Sequence, residues 1–434
     1  MNASSPVIKR GVRRVLGCLA VMMGVLLGGF QSASLLAAEN RLDELKPWLA
    51  LLAGELHGVF TPVEGRPLIW GLAWSSNNGT VRKGEVTVKG TDISLKIAVE
   101  FEFASGRLRW RADEGRVDLG SWLPVLATRP ELKSLLAGLS ATGVVTIKGE
   151  GMWSDGVVTG GLRAELAEGT VRNEADGWSL EGVTFRMGGD AAGLFKARVP
   201  FELVVRTIST SRFGARNLTM SATVDDFERV QVNAAQVEIA GGEVRSEPLS
   251  VRLSEPAIDV SLVMQRVGLQ DLVVFVPTAL SDARGRINGK LRLKWNSAEG
   301  VQVGEGGLQL DKSEPTTLRL VSAPGFLTEK VPARFTWLPP CFGPLARWLA
   351  PANPGYKTLS EIERGKLGLH VESLEVRLTP EGDERGRSAS VVIRARPEQD
   401  GTAVGEVTLE VNVAGPLAAV LRLGMNQNLS LSSN

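Results

Sequence analysis

The sequence predicts a mainly β protein, built of many consecutive antiparallel strands with a few short helices between them. Residues 93–103 alternate strictly between apolar and polar side chains, which is the period of a strand with one buried face. Similar alternating segments recur along most of the 434-residue chain, and turns rich in its 49 glycines separate them. Apolar residues at helical spacing occur in only three short stretches.

The first 38 residues have the features of a targeting segment. Four basic residues within positions 9–14 precede an apolar run over residues 15–30, and a small-residue cleavage site ends at Ala38. An ordinary cleaved secretory signal is the favoured interpretation. An uncleaved inner-membrane anchor is the alternative, because residues 15–38 carry no charge and are long enough to cross a bilayer.

Composition argues against several functional classes. Residues 1–38 hold four of the 49 Lys and Arg and none of the 48 Asp and Glu, so their removal leaves a net charge of about −3. A slightly acidic body argues against nucleic-acid binding, which requires basic patches. The mature chain keeps a single cysteine, Cys341, so it has no internal disulfide and depends on packing and hydrogen bonds.

The elements follow in order from the cleavage site. Helical spacing over Asn40–Gly58, with Asn40 at the N-cap, predicts a short amphipathic helix. From Val59 to Leu119 the period changes to two, and turn residues separate the strand segments. Ser121–Ser140 is again helical in spacing, although two prolines break it, and strands follow to Leu269.

A third helical stretch, Leu269–Leu280, precedes a last β series that closes the chain. An apolar, proline-rich segment, Phe335–Gly355, interrupts this series.

Two parts of the sequence resemble each other at an offset of roughly 140 residues. In both Arg116–Leu162 and Arg266–Leu308, a strand ends in Val-x-Leu and a short helical stretch leads to Leu-Ser. A Gly-bounded strand, a Trp and then Gly-Gly-Leu follow in each. We interpret the similarity as duplication of one strand–helix–strand module.

No constellation of residues indicates catalysis. The two histidines, His57 and His370, are more readily explained as structural, and one mature cysteine makes a His/Cys zinc site very unlikely to form. No Gly-x-Ser-x-Gly motif is present. Gly285–Leu291 lacks the spacing of a phosphate loop, and Glu381–Gly386 lacks that of a calcium loop. We therefore predict a protein that is not an enzyme and that uses no cofactor or metal.

The remaining chemistry is apolar surface on one face of long strands. Burial contributes roughly 1.5–3 kcal/mol for each large apolar side chain, so something must cover these rows. A facing sheet would give an ordinary sandwich, whereas acyl chains would give a lipid-lined groove, and periodicity alone fits both. The candidate groove-lining residues are Ile93, Leu95, Ile97, Val99, Phe101, Phe103, Phe195, Val199, Phe201, Leu203, Val205, Val407, Leu409, Val411 and Val413.

A resemblance favours the groove. The segment Asn233–Asp311 carries a Pro-led strand and Val-x-Leu-x-x-Leu, together with Gly241–Gly242, Leu280–Ser281, Gly285, Gly289 and Gly306–Gly307. In these features it resembles the YdbH-like proteins, which belong to the AsmA-like, repeating β-groove family of envelope proteins. That family's label often reads "dicarboxylate transport", a name we do not take literally. The resemblance covers roughly residues 230–425, with a fainter copy around 116–165.

The resemblance implies a long curled antiparallel sheet that forms an open groove and conducts phospholipid between membranes, with acyl chains on its apolar face. It implies an N-terminal helix and groove start (39–120), a central groove module (121–265) and a C-terminal YdbH-like module (266–434) after the targeting segment (1–38). It places the protein in the periplasm or cell envelope, associated with membrane and anchored by residues 15–38 if these are not cleaved.

Length and function leave alternatives open. About twenty strands at 4.8 Å make a groove of only ~100 Å, which favours action with an envelope protein partner or as a homo-oligomer. The alternative function is a structural or assembly protein of the envelope, with closed β-sandwich cores that bind other envelope proteins. A third function, a periplasmic hydrolase, requires a convergent polar pocket.

Overall fold

The computed structural model describes residues 54–63, 66–75, 80–127, 136, 138–154, 157–174, 177–190, 198–210, 214–225, 229–252, 257–273, 279–296, 300–335, 350–383 and 386–414. In these ranges the chain is mainly β, and its strands belong to one large antiparallel sheet, which confirms the predicted fold class. The predicted targeting segment lies outside the described residues. Two compact units divide the chain, the first formed mostly by residues up to Ile208 and the second mostly by residues from Asn233 onward.

The first unit is a run of antiparallel strands with one helix. Its elements are β1 (Gly54–Val63), β2 (Arg66–Ser75), β3 (Val81–Lys89), β4 (Ile93–Glu102), β5 (Arg107–Asp118), α1 (Leu119–Leu126), β6 (Leu139–Thr142), β7 (Val144–Ser154), β8 (Val157–Asn173), β9 (Trp178–Asp190) and β10 (Arg198–Thr210). Consecutive strands pair from β1 to β5, and β5 then pairs with β7, β7 with β8 and β8 with β9. The short β6 pairs with the end of β8.

Two strands, β11 (Gly214–Asp225) and β12 (Arg229–Ile239), contribute residues to both units. The second unit then comprises β13 (Gly242–Ser246), β14 (Leu249–Arg252), β15 (Ala257–Gly268), α2 (Leu269–Leu272), β16 (Leu280–Arg284), β17 (Arg286–Asn296), β18 (Gly300–Leu310), β19 (Thr316–Leu320), α3 (Pro354–Glu363), β20 (Leu369–Leu378), β21 (Arg387–Pro397) and β22 (Val407–Ala414). Its ladder runs β13–β15–β17–β18–β20–β21–β22, and β16 pairs with β19.

Strict alternation explains why the strands form a sheet with one apolar face. Along β4 the apolar residues are buried and the residues between them are mostly exposed. On the exposed face, Lys83 pairs with Glu100 at 2.8 Å and Lys96 with Glu85 at 2.7 Å. These exposed pairs contribute little stability, so burial of the other face holds the strands in register.

The two similar parts of the sequence have the same strand pairing. In each, the strand before the helix pairs with the second strand after it: β5 with β7, and β15 with β17. Trp153 lies opposite Val158, and Trp295 opposite Val301, so the two tryptophans hold equivalent positions. The first glycine of the Gly-Gly-Leu motif pairs two residues before the Trp in one copy and four residues before it in the other. A displacement of two residues along the partner strand keeps the motif on the same face of the sheet. This pairing supports duplication of one module.

The structure corrects the ends of two predicted helices and shows one helix that was not predicted. Gly54–Gly58, predicted as the end of the first helix, belongs to β1 because it pairs in register with β2. In the predicted helical stretch Ser121–Ser140, α1 and Leu136 are helical, but a strand already begins at Leu139. The sequence reading missed α3, although Asn353 followed by Pro354 is an N-cap signature. The Asn353 side chain accepts a hydrogen bond from the Gly355 N–H at 3.0 Å.

Candidate apolar binding site

One face of the first unit is a continuous apolar surface. Four alternate residues of β4, namely Ile93, Leu95, Ile97 and Val99, lie on it and are only 6–9% exposed. Backbone pairing places each of them in a row of directly opposed residues that crosses the neighbouring strands. We name each row after its β4 member and call the four rows together the trough.

The rows contain only apolar residues and glycines. The Ile93 row continues through Val117, Val145, Leu166 and Phe185. The Leu95 row comprises Gly58, Trp70, Val88, Leu95, Gly115, Ile147, Ala164 and Met187. The Ile97 row comprises Leu72, Val86, Ile97, Ala112, Gly149 and Leu162. The Val99 row comprises Trp74, Gly84, Val99, Trp110, Gly151 and Gly160.

Strand geometry gives the size of this surface. The Ile97 and Val99 rows cross the strands from β2 to β8, which at about 4.8 Å for each of five steps is roughly 24 Å. Along β4, the distance from Ile93 to Val99 is roughly 20 Å at about 3.3 Å per residue. The trough is therefore an apolar floor of roughly 20 by 24 Å.

Three tryptophans lie flat on this floor, each over a glycine of the adjacent strand. In the strand register the pairs are Trp70 with Gly58, Trp74 with Gly84, and Trp110 with Gly151. A Cβ placed on these glycines would come within 2.5–2.7 Å of the nearest ring atom. Only glycine therefore allows each ring to pack directly against the neighbouring backbone, and the ring covers the glycine in turn.

Helix α1 lies at one side of the trough, where the strands end. It begins two residues after Val117, the β5 member of the Ile93 row, and the Ser121 N–H donates to Oδ1 of Asp118 at 2.9 Å. Trp122 on α1 is 6% exposed and packs in the same apolar cluster as Ile93. Its indole Nε1 is buried and has no hydrogen-bond partner among the described residues. The helix thus places a polar N–H against the aliphatic side chains of this cluster, to which Trp74 of the trough contributes a second buried N–H without a partner among the described residues.

The other side of the trough ends in an aromatic pair. The rings of Phe101 and Phe103 meet edge to face with centroids 5.1 Å apart. The Arg82 guanidinium lies 5.5 Å from the centre of the Phe103 ring, a cation–π contact. Apolar surface therefore meets a cation here, as expected where the trough approaches water.

Strand β10 extends the apolar face within the first unit. Val199 and Val205 are 1% and 0% exposed, and Phe201 and Leu203 between them are half-buried. The Phe201 ring lies 5.6 Å from that of Phe185, the last member of the Ile93 row. Aromatic pairs at this separation attract each other, so β10 joins the trough through this contact.

The opposite face of the same strands is charged. A depression of about 1080 Å³ is lined by trough residues, among them Ala112, Gly149, Leu162 and Met187, and by four cations and four acids: Arg111, Lys148, Arg163, Arg186, Asp113, Glu150, Glu165 and Glu202. Arg186 pairs with Glu165 at 2.9 Å, and this contact raises the pKa of Arg186. Charges of both signs therefore border the apolar rows at this depression. Since a charged edge does not suit acyl chains, the rows themselves are the better candidate site.

In the second unit a separate cluster, which we call the C-terminal cluster, surrounds β22. It contains Val407 and Leu409, each 7% exposed, together with Ile362 of α3, which is fully buried. Phe326 and Leu327, which precede α3, also pack against the cluster. Polypeptide outside the sheet therefore covers part of the apolar surface in this unit.

A buried carboxylate holds this cover together. Glu363, 2% exposed, accepts hydrogen bonds from the Leu327 N–H at 3.1 Å, the Thr328 N–H at 3.2 Å and the Thr328 hydroxyl at 2.9 Å. Burial alone raises the pKa of the Glu363 carboxyl, but bonds from the backbone N–H groups of Gly325, Leu327 and Thr328 outweigh it. The pKa therefore lies below its usual value, and the carboxylate stays charged at neutral pH.

The predicted lining residues divide between these surfaces. The β4 and β10 residues lie in the first unit, while Val407, Leu409 and the half-buried Val411 lie with β22 in the second. Phe195 lies outside the described residues. The backbone of Val413 pairs with Ala389, but its side chain is outside the described set. A lining role for these residues stays a prediction.

Several residues of the site were missed by sequence reasoning. The tryptophans of the Leu95 and Val99 rows, and Trp122, are absent from the predicted set. Trp70 and Trp74 lie at alternate positions of Pro67–Trp74, and Trp110 lies in the alternating segment Gly106–Ala112. This period of two could have identified the strands that carry these three tryptophans.

Other kinds of site find no support in the described part of the chain. His57 and His370 are exposed on strands β1 and β20. Among the described residues, no group of three or more His, Cys, Asp or Glu converges as a metal site. Within the same ranges, no helix combines the length and apolarity that crossing a membrane demands.

Comparison with models of known families shows which family the chain belongs to. The model of the YdbH-like family, described as intermembrane phospholipid transport protein YdbH, matches residues 103–331, more than half of the chain. The chain belongs to the YdbH-like family. No curated protein and no solved structure matches it.

The YdbH-like match takes in both copies of the repeated module and the β10 residues of the candidate site. Strand β4 ends one residue before it, and β22 lies beyond it. The family is described as one of transport proteins and not of enzymes.

Proposed function

We propose that the protein carries phospholipid between membranes, with the acyl chains lying on the trough. The observation that carries the proposal is the set of four transverse rows, which form a floor of roughly 20 by 24 Å without a charged member. One leaflet of a bilayer's hydrocarbon core is roughly 15 Å thick, so the floor is large enough for acyl chains. The description of the YdbH-like family names the same activity.

Lipid entry would separate side chains that now touch. The β4 residues of the trough are 6–9% exposed, so a chain enters between packed groups. Because lipid tails are as apolar as these side chains, one contact replaces another of the same kind. Each CH₂ group that leaves water contributes about 0.8 kcal/mol.

The location that fits this function is the periplasm or cell envelope. A lipid carrier between membranes has to work in the aqueous space that separates them. The predicted targeting segment at residues 1–38, cleaved or retained as an anchor, supports export. A protein partner or a second copy would extend the path.

The experiment is purification of the full chain followed by native mass spectrometry for bound phospholipid. Ile97→Asp places a carboxylate in the middle of the trough, and we expect bound lipid to fall to background. Ser94→Asp, on the exposed face of the same strand beside Lys89 and Arg116, is the matched control and should keep its lipid.

Circular dichroism must show that the variant retains its strands. Should Ile97→Asp fail to fold, Ile97→Thr combined with Val99→Thr adds hydroxyl groups with a residue that strands accept well. Folded trough variants that carry as much phospholipid as the control would refute the proposal, as would a wild-type protein without lipid.

A second function is favoured by the C-terminal cluster. There α3 and the segment before it cover the apolar face, as in a closed core. If the trough proves similarly closed, the protein is a structural or assembly factor that binds other envelope proteins. Purified wild-type protein would then contain no lipid at all.

A further inference from the structure

The Trp122 indole N–H is a buried hydrogen-bond donor for which the described residues offer no acceptor, and Trp74 of the trough is the other such donor in this cluster. The buried members of its cluster are Leu68, Leu72, Val86, Val88, Ile93, Leu95, Ile97, Val99 and Ala112, all aliphatic. The Nε1 atom is buried and has no partner among the described residues. Buried polar groups in folded proteins are nearly always paired, because an unpaired one loses its bond to water without compensation. A phenylalanine would fill the same apolar space without this loss.

The position of α1 indicates where an acceptor would come from. The helix begins at the end of β5, beyond the Ile93 row, at the side of the trough. A lipid whose tails lie across the rows has its first polar atoms where the tails end. Tryptophan suits such a boundary, because its ring is apolar and its N–H is polar.

We propose that the Trp122 indole donates a hydrogen bond to an ester carbonyl oxygen of the bound phospholipid. The inference rests on the proposed function and adds a specificity determinant to it: the site distinguishes ester-linked from ether-linked chains. An ether lipid of the same chain length has the same tails and headgroup but lacks the carbonyl, so it leaves the N–H unpaired.

The test is a competition on the purified full chain. The protein is loaded from vesicles with equal amounts of diacyl and dialkyl phosphatidylcholine of the same chain length, and bound lipid is quantified by mass spectrometry. We expect the wild type to prefer the diacyl lipid by roughly two- to tenfold, the range of one neutral hydrogen bond. Trp122→Phe should bring the ratio to about one.

The matched control is Trp178→Phe. Trp178 is half-buried on β9, outside the four rows of the trough, and the change removes the same amount of ring. Its Nε1 is not among the buried donors that lack a partner in the described part of the chain. This variant should therefore keep the diacyl preference.

The outcomes separate the two proposals. Equal loading of both lipids by the wild type, or a preference that survives in Trp122→Phe, overturns the role of Trp122 and leaves lipid carriage standing. Failure to bind either lipid overturns the proposed function itself. If Trp122→Phe does not fold, Trp74→Phe decides instead, because it removes the other buried donor of this cluster that lacks a partner among the described residues. A diacyl preference that survives in Trp74→Phe supports the role of Trp122, and one that disappears overturns it.

Discussion

Replacing Gly151 by alanine should destabilise the first unit by about 1–3 kcal/mol, the usual cost of overpacking. The new Cβ would press against the carbonyl oxygen of Thr159 and lie 2.7 Å from ring carbons of Trp110. Carbon–oxygen contacts between strands are normally about 3.3–3.6 Å, so a neighbour has to move by a large fraction of an ångström. Relief of the contact with Thr159 requires the β7–β8 ladder to shift, and relief of the contact with the ring requires Trp110 to rise into the trough.

The assay is urea unfolding of the full chain, followed by tryptophan fluorescence and far-ultraviolet circular dichroism. The matched control is Gly189→Ala, next to Leu162 of the Ile97 row, where the added Cβ meets its nearest atom at an ordinary 3.6 Å. Gly189→Ala should be neutral or more stable by up to about 1 kcal/mol, because alanine restricts the unfolded chain. Gly151→Ala should also bind less phospholipid. Equal midpoints for the two variants would refute the packing of tryptophan over glycine.

Two other predictions concern polar contacts in the second unit. Glu363→Gln keeps the side-chain size but removes the charge that three donors address, so it should lower the free energy of unfolding by about 1–3 kcal/mol at pH 7 in urea titrations. Since the folded pKa of Glu363 is lowered, its contribution is present above the unfolded value of about 4.3 and is lost as the pH falls through the folded pKa. The gap between wild type and variant should therefore stay constant above about pH 5 and shrink below it, and a gap that widens in acid would contradict this assignment. Arg292→Ala breaks a half-exposed pair with Asp259 at 2.7 Å and should leave the urea midpoint almost unchanged, so a clear fall in the midpoint would show that the pair is more than a surface contact.

Local pattern predicted the strands better than the helices. The alternation over residues 93–103 identified β4 nearly to its ends, because side-chain direction in a strand depends only on the chain itself. The predicted helix over Asn40–Gly58 was wrong at its end, since pairing with β2 stabilises residues 54–58 as strand whatever their spacing. The helix α3 was missed because its sequence is mostly polar, and its buried side is a single turn around Ile362.

The candidate site was only partly visible in the sequence. Alternation placed Ile93 to Phe103 on one face, and the structure shows those described side chains buried or half-buried. It could not show that Trp74 and Trp110 lie in the same row as Val99, because cross-strand register joins residues that are far apart in sequence, such as Trp74 and Gly151. Sequence also could not show that the Trp122 indole lacks a hydrogen-bond partner among the described residues, because this depends on side chains from distant segments that pack around it.

Spacing along the chain is enough to predict the β class, the apolar face of each long strand, the duplicated module and the family resemblance. It does not show which faces the protein covers with its own polypeptide, as α3 does over the C-terminal cluster, or which side chains line up across strands to make the trough. Burial and register arise from contacts between segments distant in sequence, whereas periodicity gives only the direction in which a side chain points.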